Sequence, residues 1–259
     1  MNKLALVFTL LTVGFAHAAQ PDETVTITRH GNIEHLEVDA GRLVGNSVQE
    51  LIQRHLYNIT YEDPRFPDPH DYVDITQQVV GVPAKDERSK ILALKNRQMS
   101  VDLDTSRGVE SMLNQIIAAA AVVHPEAKFR VVKDRARYHV IPATGSLLDT
   151  RISMPERSYT LGEAVEAIGA AVTSASGQVM NYGCCAFEES PHEPRYRVHA
   201  SDEPAREVVN RLLDGITATG RGAMTWSILY DKKWDHFSLV ILKIPEVPVF
   251  SMPPKKKGG

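Results

Sequence analysis

Apolar residues recur at helical spacing in four stretches of the chain. Val48, Leu51, Ile52 and Leu56 form the first stripe, with Asn46 or Ser47 placed to cap it. Val109, Met112, Leu113, Ile116, Ile117 and Ala120 form the second. The third runs through Leu161, Ala164, Val165, Ile168, Val172 and Ala175, and Thr160 and Glu163 open it at capping-box spacing. Ala205, Val208, Val209, Leu212, Leu213 and Ile216 make the fourth, preceded by Asp202, Glu203 and Pro204. Acids there complement the helix dipole, and a proline loses no hydrogen bond in a first turn. Short alternating or β-branched runs between the stripes predict strands. They lie at 24–28, 33–38, 58–61, 72–76, 99–103, 129–132, 138–141, 151–154, 179–182, 196–200, 225–230 and 237–244. Hairpin turns are expected at Asp134-Arg135 and over Asp231–Asp235.

The elements fall into two halves with one order: strand, helix, strand, variable loop, strand, helix and a closing hairpin. Met99–Leu103 leads into the second helix and the strands of Phe129 and Tyr138. Tyr196–Ala200 leads likewise into the fourth helix and the strands of Trp226 and Phe237. The expected fold is therefore α+β, with two similar small modules, each packing its helices on a short mixed sheet. The first module spans 19–142 and the second 148–244, joined through the turn-rich stretch Pro142–Leu148. A Pro- and Lys-rich tail, 245–259, follows.

The two ends change the picture more than the composition does. Met1-Asn2-Lys3, an apolar run from Leu4 to Phe15 and Ala16-His17-Ala18 make the three parts of a secretory signal, residues 1–18. The run is shorter than the roughly 20 apolar residues of a membrane span. The expectation is an exported protein, periplasmic or secreted, that does not span the membrane after cleavage. A formal charge of −3, with one basic run at Lys255–Lys257, gives no concentrated basic face for nucleic acid.

Candidate chemistry is sparse. Glu62 and Asp63, before a loop holding Asp68, His70, Asp71 and Asp74, are the residues from which an acid–base pair or a hard-metal site would be built. The plainer expectation is a solvated turn, because aspartate and proline favour turns for backbone reasons. The histidines are scattered without metal-ligand spacing, and His139 and His199 are expected to face solvent on strands. His30 and His35 are close enough in sequence to meet across a sheet. Cys184 and Cys185 are adjacent, so a bridge between them would be strained. They are read as small structural residues, with inter-chain or redox pairing as alternatives. Gly215–Gly222 follows a helix and reads as its cap and turn, whereas phosphate loops precede one. No catalytic, cofactor-binding or metal motif emerges.

Arg151-Ile-Ser-Met, Thr160-Leu-Gly-Glu-Ala-Val-Glu-Ala-Ile168, Gly177 and Val179-Met-Asn-Tyr182 resemble the short N-terminal module of secretins and TonB-dependent transducers. Val198–Leu213 and Thr225–Tyr230 are similar to its second strand–helix step and closing strand, and Val38–Ile141 follows more loosely. The resemblance implies a tandem, non-catalytic module that binds a protein partner in the cell envelope and needs no cofactor. No downstream channel or barrel accompanies it here. The alternatives are a periplasmic small-molecule or metal-binding protein, or an enzyme using Glu62, Asp63 and His70.

Overall fold

The computed structural model describes residues 23–183 and 194–247. The expected leader, 1–18, Cys184, Cys185 and most of the expected tail lie outside the described residues.

The first half contains β1 (Thr24–His30), β2 (Ile33–Ala40), α1 (Leu43–His55), β3 (Ile59–Glu62), β4 (Tyr72–Asp74) and α2 (Thr76–Val80). It continues with β5 (Leu92–Leu94), β6 (Arg97–Asp104), α3 (Val109–Val123), β7 (Phe129–Asp134) and β8 (Arg137–Pro142). The second half contains β9 (Arg151–Tyr159), α4 (Leu161–Ser176), β10 (Met180–Tyr182), β11 (Tyr196–Pro204), α5 (Ala205–Ala218), β12 (Met224–Asp231) and β13 (His236–Lys243). The molecule is α+β.

Strand pairing is the same in both halves. β2 pairs antiparallel with β6, and β9 with β11. β3 runs parallel to β8, and β10 to β13. The hairpins β7–β8 and β12–β13 close each module. Even the registers correspond: Tyr61, Val140 and Val131 stand in one row, as do Tyr182, Leu239 and Ile228. Among the described residues the first module has two additions: β1, pairing with the free side of β2, and the short antiparallel pair β4–β5.

The modules join because β12 lies parallel to β3, giving one six-stranded sheet in the order β10-β13-β12-β3-β8-β7. Ser227 stands beside Tyr61, and Ile228 beside Glu62. Neighbours in register share a face, and successive residues alternate. Tyr61 belongs to the first core and Ile228 to the second, so the two cores lie on opposite faces of the shared sheet. One core gathers Leu36, Leu51, Leu103, Met112 and Ile116; the other gathers Ile168, Val209, Leu213, Trp226 and Leu239.

Several local expectations change. The capping box at Thr160 and Glu163 forms, with the hydroxyl accepting from Glu163 N–H at 3.2 Å. α1, however, begins at Leu43 behind Arg42 and has no side-chain cap, so Asn46 and Ser47 lie inside it. Ser47 instead bonds back to Leu43 C=O at 2.7 Å. Asp202 and Glu203 end β11, leaving Glu207 as the acid in the first turn of α5. Thr76, expected at a strand end, opens the short helix α2. The stretch 142–148 is more than a loose joint: Leu147 and Leu148 are buried in a capped 3-10 turn.

Candidate functional site

All four residues of β3 are buried, because strands flank it on both sides and a core lies on each face. This overturns the expectation of a solvated turn: Glu62 is 1% exposed and Asp63 0%. Their side chains are engaged in different directions.

Asp63, just past the strand, extends the joint with its backbone and carboxylate together. Its N–H donates to Ile228 C=O at 2.8 Å. Its carboxylate accepts from Tyr230 N–H (2.8 Å), Arg42 Nε (2.8 Å) and Tyr61 Oη (2.7 Å). Arg42 also donates to Tyr230 C=O at 3.0 Å, so one ion pair clamps both modules. Burial, then the negative charge of Asp63, keeps the Tyr61 phenol protonated well above its usual range. Gly45 of α1 lies against the Tyr61 ring, where a Cβ would come within 2.8 Å of it.

Glu62 faces the connection between modules. Leu147 N–H donates to it at 2.6 Å, and the Ser146 hydroxyl donates to its other oxygen. Burial pushes its pKa up to about 7, against the lowering effect of those two bonds. A cleft of about 320 Å³ opens beside it, lined by Arg65, Thr144, Ser146, Gln178 and Phe237 among others. Glu62 can therefore exchange a proton near neutrality. The Ser146 oxygen that donates to it also accepts from Leu148 N–H at 3.1 Å as the cap of the 3-10 turn.

His139 lies on β8, beside the joint strand β3, and is fully buried, which corrects the solvent-facing expectation. Its Nδ1 pairs with Thr60 Oγ1 at 2.7 Å, and its ring stacks on Trp226 with centroids 5.8 Å apart. Burial, then the positive charge of Arg206, lowers its pKa to about 4, so the ring is neutral. Trp226 in turn donates to Asn210 at 3.2 Å. His199 is exposed, as expected. His30 and His35 do not meet, because the register sets them opposite Ile33 and Thr28.

His70 and Asp71 lie in a 3-10 turn on the long excursion between β3 and β6. His70 is exposed. Asp71 is buried and accepts from Arg97 at 2.5 Å, with His124 Nε2 at 3.4 Å. Three of the four candidate side chains thus have separate partners: Arg42 for Asp63, the 146–147 turn for Glu62, and Arg97 for Asp71. Among the described residues, no group of three or more His, Cys, Asp or Glu side chains is placed to hold a metal ion.

The fold also builds one constellation that the sequence did not signal. His35 Nδ1 lies 2.7 Å from Asp102, and its Nε2 lies 3.3 Å from Ser100 Oγ, on the exposed face of β2 and β6. The order resembles a hydrolytic triad, but Glu37 stands 3.4 Å from the same Nε2. The hydrogen bond to Asp102, with help from Glu37, raises the His35 pKa. Carboxylates at both ring nitrogens favour the imidazolium, which cannot accept a proton from Ser100. This is a surface charge cluster whose members, 65 and 67 residues apart in sequence, meet only through strand register.

Comparison of the chain with protein-family models, with curated proteins and with solved structures finds no match in any of the three.

Proposed function

We propose that this chain is an exported, non-catalytic envelope protein that works as a protein-interaction or assembly module. The observation that carries the reading is the fate of its acidic pair. The residues from which an active site would be built are instead engaged in joining two modules. A catalytic carboxylate needs a reacting atom or a partner base within reach. Asp63 has three internal donors, and Glu62 has two. The three-part leader supports export, and the two-module architecture supports an assembly role. Small sheets of this kind engage partners by adding a strand at an edge.

The test is site-specific photo-crosslinking in an exporting bacterial host, with the photoreactive residue placed in turn at exposed positions of strands and helices. Crosslinks to an envelope protein at a contiguous set of positions are expected. A chain that is exported yet crosslinks to nothing at any position would contradict the reading.

A further inference from the structure

Within the described residues the shared sheet ends in β7 on one side and β10 on the other. The edges differ in how far they are protected against another strand. β9, which pairs only with β11 in a two-stranded sheet among the described residues, carries Pro155 in its middle. On β10, Met180 N–H is already bonded to Thr173 Oγ1 at 2.9 Å. β7 has neither device: it holds six residues in unbroken register with β8.

The phase of β7 shows which groups its edge offers. Lys128 C=O accepts from Ala143 N–H at 2.9 Å, which marks a hydrogen-bonded pair. Such pairs alternate along an antiparallel ladder. Arg130 and Val132 therefore turn their backbone groups toward β8, and Phe129, Val131 and Lys133 turn theirs outward. β12 has the same place in the second module, with Ile228 matching Val131 and Tyr230 matching Lys133. There the outward groups are taken: Ile228 C=O accepts from Asp63 N–H, and Tyr230 N–H donates to the Asp63 carboxylate. The occupant of that edge is β3, a parallel strand that ends in Glu62 and is followed by Asp63.

Charge on β7 fits an occupant of the same kind. Lys128, Arg130, Lys133 and Arg135 are exposed, against the single acid Asp134 in that stretch, in a chain of net charge −3. We propose that β7 takes an acidic extended segment of a partner protein as a further, parallel strand, repeating the contact that β3 makes with β12. The inference rests on the interaction-module reading above and names its surface and the chemistry of its partner. Charges alone would blunt an edge; here they flank an intact ladder whose counterpart within the chain is filled by an acidic strand.

The probe is a synthetic peptide of the chain's own residues 57–64, which holds β3 and both acids, titrated into the isotope-labelled mature protein. Saturable amide shifts confined to residues 128–135 and their β8 neighbours are expected. Val131→Pro removes an outward N–H without touching the β8 ladder and should abolish them. Replacing both peptide acids by lysine, or making Arg130→Glu with Lys133→Glu in the protein, should weaken binding by roughly tenfold. The double charge variant keeps the backbone intact, so it carries the test if Val131→Pro unfolds. Absence of shifts at β7, shifts centred on β12, or equal binding of the lysine peptide would each overturn the inference. Envelope crosslinks that map away from β7 would overturn it too, and would leave the interaction-module reading standing.

Discussion

Glu62 and His139 titrate in opposite senses on the same face of the sheet, and their effects on stability oppose each other. Glu62 has a folded pKa of about 7 against an ordinary value of 4.5. The folded state therefore holds its proton more tightly, and stability present below about pH 4.5 is lost as pH rises through 7. The full effect is on the order of 3 kcal/mol. His139 has a folded pKa of about 4 against 6.5, so stability present above pH 6.5 is lost as pH falls through 4. Between those limits the slopes offset. Glu62→Gln can keep the bonds to Leu147 and Ser146 and should raise stability at about pH 8 by roughly 1–3 kcal/mol. It should also uncover the histidine slope, so that the variant weakens steadily on acidification. His139→Asn should uncover the opposite slope. Urea unfolding across this pH range checks both; variants with the same pH profile as the parent would refute the pairing. None of this was legible in the sequence, where Glu62 reads as a turn residue and His139 as an alternating surface residue. Their burial depends on β12, which follows β3 by more than 160 residues.

At the scale of elements the sequence was far more informative. The four long helices and most strands follow from apolar periodicity, because each buries one stripe or one face. The capping box of α4 was legible for a local reason, since it needs only residues three apart. The start of α1 was not, because Arg42 is held by tertiary partners, Asp63 and Tyr230 C=O, rather than by helix signals. In the excursion β4 falls within the strand expected at 72–76, whereas α2 and β5 are too short to show a period. Equivalent glycines in the two modules give a sharp comparison. A Cβ on Gly45 would lie 2.8 Å from Tyr61, whose ring is fixed by its bond to Asp63. One on Gly162 would lie 3.8 Å from Tyr182, an ordinary contact. Gly45→Ala should destabilise by about 1–3 kcal/mol through overpacking. Gly162→Ala should instead stabilise by up to about 1 kcal/mol through helix propensity. Thermal unfolding of the two variants would show shifts of opposite sign, and shifts of the same sign would count against this packing.

For the whole molecule, the central feature is that two modules of one topology share a sheet while keeping their cores on opposite faces. The two halves could be read from sequence, but the β3–β12 contact could not, since the strand lengths and patterns do not say which edges meet. The Arg42–Asp63 pair stands at that contact, and its removal decides between a structural and a catalytic purpose for the acid. Breaking a buried pair by deleting one partner costs about 3–5 kcal/mol, because the other charge is left uncompensated. An active-site acid behaves differently, since replacing it commonly leaves stability unchanged or improves it. The most direct measurement is equilibrium urea unfolding of the parent and Asp63→Ala, followed by tryptophan fluorescence and far-ultraviolet circular dichroism. Trp226 and Trp234 both lie in the second module, so fluorescence reports that half while dichroism reports both. The parent should unfold in one coincident transition, and Asp63→Ala should lose about 3–5 kcal/mol with the two signals separating. A variant as stable as the parent, unfolding in the same single step, would contradict the account and return Asp63 to the search for an active site.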